Sequence, residues 1–274
     1  MSKEPQAVSP LTRTVLDRLQ RILGGSPGMT QLESALRLLA KWRSQVLANT
    51  LRAHSGSQVL AGPFRGMHYD LTPAEGALAT RLLGCYEASL APILETVIAR
   101  GYPQVIDIGC AEGYYAVGLA RRMPATQVLA RDTDPKAQEK VLALARANGV
   151  ADRVQVGGVM DHAGLDLCHA ARTFVLCDIE GAEEDLLDPK AAPGLLAADI
   201  LVEVHEQARP GLLARLTDRF AATHRITRLD RQLDPGMLPP WAEELNDLDR
   251  LLLLWEWRAG PTPWLWMERK DSVS

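Results

Sequence analysis

The stretch QVIDIGCAEGYYAVG, residues 104–118, decides the fold. Strand-forming residues from Val105 to Ile108 run into a turn with glycines at 109 and 113, and helix-compatible residues follow from Tyr115. A strand, a glycine-rich turn and a helix in succession bring a ligand against backbone amides at a helix N-terminus. Gly109 supplies backbone angles closed to most side chains, and Gly113 is expected to let the chain pass close to a ligand. A second strand at 127–131 then ends in Asp132-Thr133-Asp134-Pro135. A carboxylate at the tip of the second strand is where a nucleotide-binding α/β unit holds the two hydroxyls of a ribose. The competing reading is a plain strand-to-helix turn in some other α/β protein, and the agreement of the two elements speaks against it.

Outward from this unit, strands and helices alternate, which predicts a parallel sheet. Strands are expected at 104–108, 127–131, 154–157, 173–179 and 199–205, with helices at about 114–123, 135–148, 183–187 and 211–223 and a short helical piece at 193–198. A last pair, 250–258 and 264–267, joined by Ala259-Gly260-Pro261-Thr262-Pro263, reads as an antiparallel hairpin. Ahead of this core, apolar residues at helical spacing mark one helix over 11–23 and a second from Thr30 to about Ala53. Thr30 and Glu33 form a capping-box pattern. One or two further helices fill the interval up to Arg100, starting at Thr72-Pro73 and interrupted near Gly84-Cys85-Tyr86-Glu87. The expected organisation is therefore a helical extension over 1–70, acting as a lid, a homodimer contact or a support, and an α/β domain over 71–274.

Composition sets limits. The 274 residues carry 47% hydrophobic and 23% charged side chains, ordinary for a globular protein. A net charge of −4 gives no electrostatic case for nucleic acid. Four scattered cysteines without a C-x-x-C spacing read as reduced thiols in the cytoplasm. The N-terminus lacks an apolar signal-peptide core, and the longest apolar runs are short, so neither secretion nor a membrane span is expected.

Chemistry is expected at the carboxyl ends of the strands. Asp178 and Glu180 lie at the tip of the fourth strand and Glu203 and His205 at the tip of the fifth, two apart in each case. If those strands are neighbours, three carboxylates and an imidazole share one rim. Polar groups in interior-type strands are costly unless paired, which favours function. Three uses stand open: a general base at His205 or a carboxylate, a divalent metal held by Asp178, Glu203 and His205, or loop capping and cofactor contact. Met160, past the third strand, is placed to cover an aromatic base. Tyr86 and Glu87 precede the core on a segment that can fold over a cofactor. The late tryptophans, paired at 255/257 and 264/266, read as core or as an aromatic wall for an acceptor. The histidines at 54, 68, 162, 169 and 224 read as surface or loop residues.

Asp107, Gly109, Ala111 and Gly113 follow the D-x-G-x-G-x-G pattern of class I S-adenosylmethionine (SAM)-dependent methyltransferases, with alanine at the middle glycine. Together with CDIEGAEEDLL (177–187) and ILVEVHE (200–206), the chain resembles the FkbM-type family within that class over about Leu83 to His205. The resemblance implies a Rossmann-like sheet of seven strands and O-methylation of a small-molecule hydroxyl. By that resemblance SAM would be bound by Asp107, Gly109 and Gly113, with Asp132 on the ribose; the reading of the residues themselves adds Glu87, Met160 and Asp178 as expected contacts. N-methylation and a non-catalytic SAM-binding partner protein are the alternatives. A dehydrogenase is disfavoured by the lack of G-x-G-x-x-G.

Overall fold

The computed structural model describes residues 9–73, 77–258 and 260–270. Its elements run α1 (Pro10–Leu23), α2 (Met29–Ser55), α3 (Leu78–Leu83), α4 (Ala91–Arg100), β1 (Gln104–Ile108), α5 (Tyr114–Arg122), β2 (Gln127–Arg131), α6 (Pro135–Ala147), β3 (Val154–Gly157), α7 (His162–Leu165), β4 (Thr173–Cys177), α8 (Glu183–Leu186), β5 (Asp199–Glu203), α9 (Leu212–Phe220), β6 (His224–Leu229), α10 (Asp247–Leu253) and β7 (Trp264–Arg269). The strands form one sheet in the order β3-β2-β1-β4-β5-β7-β6. The first five are parallel, and β7 pairs antiparallel with both β5 and β6. This is the seven-stranded sheet with a final antiparallel hairpin that the resemblance implies.

The hairpin is built from other residues than expected. Residues 250–258 do not form a strand: Asp247–Leu253 is helix α10, capped by Asn246, whose side chain accepts from the Asp249 amide. The partner of β7 is β6, which the sequence pattern conceals. His224-Arg-Ile-Thr-Arg-Leu is an edge strand, and edge strands carry charge on their open side. His224 itself is buried, bonded to the carbonyl of Ala198 and the hydroxyl of Thr223, and is not the surface residue expected.

Two apolar layers flank the sheet. One joins α9 and the loops after β3 and β4 through Leu165, Leu195, Leu216 and Phe220. The other gathers α3 to α6 and also takes in Leu47, Ala48 and Leu51 of α2, so the N-terminal segment shares the main core. The helix starts at Met29 after Gly28 with no side-chain cap, so Thr30 does not cap it. The start expected over 72–75 lies partly outside the described residues, and α3 begins at Leu78. By length and composition alone Leu78–Arg100 is long and apolar enough to cross a membrane. In the fold it is broken at Gly84 (φ 84°), and all six residues of α3 are buried.

The outer half of α2 reaches across to the segment between α10 and β7. Arg43 grips Asp249 with two hydrogen bonds of 2.7 and 2.5 Å, and Ser44 Oγ accepts from Trp257 Nε1 at 3.1 Å. The ammonium of Lys41 lies 5.1 Å from the Trp257 ring. Nearer its N-terminus the same helix leaves Met29, Leu32 and Leu36 exposed.

Candidate functional site

The turn after β1 is fixed by backbone and one carboxylate. The amides of Gly109 and Cys110 both donate to the carbonyl of Arg131, tying the turn to the end of β2. Asp132 then accepts from the Ala111 amide at 2.9 Å and from its neighbour Asp134 at 2.8 Å. Gly109 has φ 79°, and a Cβ there would lie 1.6 Å from the carbonyl oxygen of Asp178. Glycine is thus required because the end of β4 passes against the turn. The expected close approach of a ligand at Gly113 is not what the structure places there. A Cβ at Gly113 would meet Val141 of α6, so this glycine lets two helices approach.

Two cavities open at the carboxyl ends of the strands. The first, about 660 Å³, is lined by Ile108, Gly109, Asp132, Met160, Asp178 and Ile179 among others. The second, about 450 Å³, is lined by Tyr86, Glu203, His205, Glu256, Trp257 and Arg258, and shares Asp178 and Glu180 with the first. Of the residues expected to hold a cofactor, Gly109, Asp132, Met160 and Asp178 come together in the first cavity. Asp107 lines neither cavity. It is buried beneath the turn with no hydrogen-bond partner on either oxygen, and burial pushes its carboxyl up to about 7. Glu87 also lines neither. It is buried beside the second cavity, where Arg258, Tyr115 and Trp264 all donate to it. Burial and Glu203 push it up to about 7, opposed by Arg258.

The rim predicted from β4 and β5 is present, because the two strands pair. His205 Nε2 faces three carboxylates: Glu180 at 3.3 Å, Asp178 at 3.6 Å and Glu203 at 3.7 Å. Its Nδ1 donates to Glu183 Oε1 at 2.7 Å, and the same oxygen accepts from the amides of Ile179 and Gly181. Burial alone would lower the imidazole pKa, but Glu183 and the facing carboxylates outweigh it and raise it above 6.5. Burial, then Glu203 and Glu87, push Asp178 well above the usual carboxylate range. On the other side Arg258 donates to Glu203, Glu87 and Glu256 together.

Glu183, Glu256 and Arg258 were not legible as site residues. Glu183 stands in the quoted DIEGAE segment, yet its role depends on α8 folding back to present it to His205. Glu256 and Arg258 lie in a stretch read as a strand and reach the site through the β5–β7 pairing. Tyr86, a sequence candidate, walls the second cavity, and Arg81 stacks over its ring at 3.9 Å. Of the late tryptophans, Trp257 lines that cavity, whereas Trp264 and Trp266 are core.

Backbone strain falls in the same place. Among the described residues, the non-glycines at positive φ are Glu87, Ala111, Glu180 and Trp257. Ala111, Glu180 and Trp257 line the cavities, and Glu87 binds Arg258. Such conformations cost about 1–3 kcal/mol each and gather at functional sites.

No family model matches the chain, and no curated protein matches it. Among solved structures it is similar to an O-methyltransferase from Bacillus cereus in complex with SAH, at 13% identity over 94% of this chain and 97% of that one, with a TM-score of 0.46. It is also similar to the O-methyltransferase TomG from Streptomyces achromogenes in complex with SAM, at 13% identity over 82% and 89%, TM-score 0.43. A human methyltransferase 10 domain containing protein is 12% identical over 83% and 97%, TM-score 0.45. At these identities and scores none of the likenesses decides what the chain does.

Proposed function

We propose that the chain is a SAM-dependent methyltransferase acting on a small-molecule hydroxyl. One observation carries this reading: the two cavities meet at Asp178 and Glu180. The first suits an adenosyl group, with apolar walls at Ile108, Val159, Met160 and Leu186 and a carboxylate at the tip of β2. Bound there, SAM supplies an electrophilic methyl group on a sulfonium. The remaining work belongs to the chain. Asp132 and the turn at Gly109 hold the cofactor. Tyr86 and Trp257 orient the acceptor and exclude water, which is most of what such a transfer needs. The cluster of Asp178, Glu203 and His205 removes the hydroxyl proton, with one of its members as general base or with a cation as Lewis acid.

The FkbM-type relationship belongs to the same proposal. It is supported by the way the DIEGAE segment and the E-x-H of β5 bring Asp178, Glu180, Glu183, Glu203 and His205 into one cluster. An amine acceptor is the second reading, favoured by the carboxylates that line the second cavity. Pairing of two copies through the exposed face of α2 remains part of the proposal and is checked by the mass of the particle in solution.

Calorimetric titration with S-adenosylhomocysteine tests the cofactor. Saturable binding that weakens about 10- to 100-fold in Asp132→Ala, with silence for NAD⁺, is the expected outcome. Absence of S-adenosylhomocysteine binding would overturn the assignment.

A further inference from the structure

The His205 imidazole is held in an unusual setting. Its Nδ1 is committed to Glu183, a side chain with no exposed surface. Its Nε2 therefore points at Asp178, Glu180 and Glu203, all within 3.7 Å. No lysine or arginine among the described residues is hydrogen-bonded to Asp178 or Glu180. Arg258 engages Glu203, but through Oε1, while Oε2 is the oxygen that faces the imidazole. Asp178 Oδ1 is buried and has no hydrogen-bond partner at all. A ring nitrogen set against three carboxylate oxygens needs positive charge between them, and that charge is either a proton or a metal ion.

Three features favour the metal. One donor atom from each of Asp178, Glu203 and His205 lies within 4.8 Å of the other two. Each of two donors is oriented from behind: Glu183 fixes the tautomer and ring plane of His205, and Arg258 holds the far oxygen of Glu203. A carboxylate behind a histidine is the usual outer support of a metal ligand. The cluster also opens on the second cavity, so three protein ligands leave positions free for water or an acceptor oxygen.

We infer that Asp178, Glu203 and His205 bind a divalent cation at the boundary between the two cavities. Two carboxylate oxygens and one imidazole nitrogen suit Mn²⁺ or Zn²⁺ better than Mg²⁺ or Ca²⁺, which favour all-oxygen sites. The inference deepens the proposed methyl transfer and rests on that reading for its purpose: an acceptor hydroxyl bound to the cation loses its proton more readily. The existence of the site does not depend on that purpose.

The test uses the full chain, freed of metal by a chelator and then dialysed. Mn²⁺ is titrated calorimetrically, and S-adenosylhomocysteine is titrated separately. One Mn²⁺ per chain is expected, with affinity reduced at least 100-fold in His205→Gln and Asp178→Asn and 10- to 100-fold in Glu183→Gln. Pulsed electron paramagnetic resonance of the Mn²⁺-loaded wild-type chain should show coupling to one imidazole nitrogen, a readout that needs no variant to fold. If Mn²⁺ and Zn²⁺ both fail to bind while S-adenosylhomocysteine binds, the metal site is overturned and the cofactor reading stands. Mn²⁺ binding without nitrogen coupling, or binding untouched by His205→Gln, places the ion elsewhere and also overturns the site. Metal binding with the expected coupling, but no S-adenosylhomocysteine binding, leaves the site standing and overturns the methyltransferase reading.

Discussion

The two cavities share Asp178 and Glu180 and differ in almost everything else. The first is built around backbone: a glycine turn and the tips of four neighbouring parallel strands, with apolar side chains and the carboxylate of Asp132 added to them. The second is made by charge, with Asp178, Glu180, Glu203 and Glu256 facing Arg258 and His205 on segments far apart in sequence. Backbone-built sites depend on a few conformations that only certain residues adopt. Charge-built sites depend on every member having its partner, because a buried charge left alone is expensive. The two should therefore fail in different ways when single residues are changed.

The largest effect is expected where the cavities are joined. Gly109→Val places a branched side chain at φ 79° and against the carbonyl of Asp178. Strain and overlap together should cost more than about 4 kcal/mol, the range reserved for severe single lesions. Urea unfolding should show the loss, and binding at both cavities should disappear together. Retention of S-adenosylhomocysteine binding by this variant would show that the turn tolerates a shift of β4 and that the cavities are less tightly joined than the backbone contact implies.

Arg258→Met separates them. It leaves Glu87, Glu203 and Glu256 facing one another without their common cation, a change that typically costs about 3–5 kcal/mol. If enough of the chain stays folded at low temperature, S-adenosylhomocysteine affinity should fall less than about threefold while acceptor turnover is lost. Equal loss of both would mean that the charge network supports the first cavity as well.

How much of this was readable in sequence follows the same division. The five parallel strands lie within two residues of their expected limits, because strands buried on both faces read as short apolar runs between turn signals. The first cavity follows from them almost by geometry, since the tips of β1 and β2 carry Gly109 and Asp132. The edge strand β6 does not read as a strand because its outward residues are charged. The run from Leu251 to Trp255 is too short for periodicity to separate helix from strand. Half of the second cavity was visible as two pairs, 178/180 and 203/205. The part supplied by Glu256 and Arg258, and Glu183 behind His205, comes from chain reversal and from helix α2 bracing Trp257, neither of which has a local signature.

A pH series sharpens the contrast at Asp107, the pattern residue that lines neither cavity. Its carboxyl sits at about 7 in the folded chain and near 4 when unfolded. Between those values the folded state holds more protons than the unfolded state, so this group makes stability fall as pH rises through that window. Asp107→Asn is nearly isosteric and cannot ionise. Its advantage over wild type, read from urea midpoints, should be near zero at pH 4 and grow to at most about 4 kcal/mol above pH 7. Its S-adenosylhomocysteine affinity should change little compared with Asp132→Ala. A large loss of affinity in Asp107→Asn would place this carboxylate in direct service of the ligand after all.

The smallest expected effect is at Ala111, where alanine occupies the middle glycine of the pattern. The residue has φ 47°, a left-handed conformation that costs an L-residue about 1–2 kcal/mol relative to glycine. Part of that cost is offset because its amide donates to Asp132 at 2.9 Å. Ala111→Gly removes the strain but adds freedom to the unfolded chain, worth about 0.4–1 kcal/mol in the opposite direction. The net change in stability should thus lie between about 0 and 1.6 kcal/mol on the stabilising side, measured by the same urea midpoints. The sign matters more than the size. A stabilised variant with unchanged S-adenosylhomocysteine affinity means that alanine is merely tolerated. A stabilised variant that binds more weakly means that the methyl group stiffens the turn in the shape that holds Asp132 in place, so that strain in the backbone-built cavity serves binding as charge does in its neighbour.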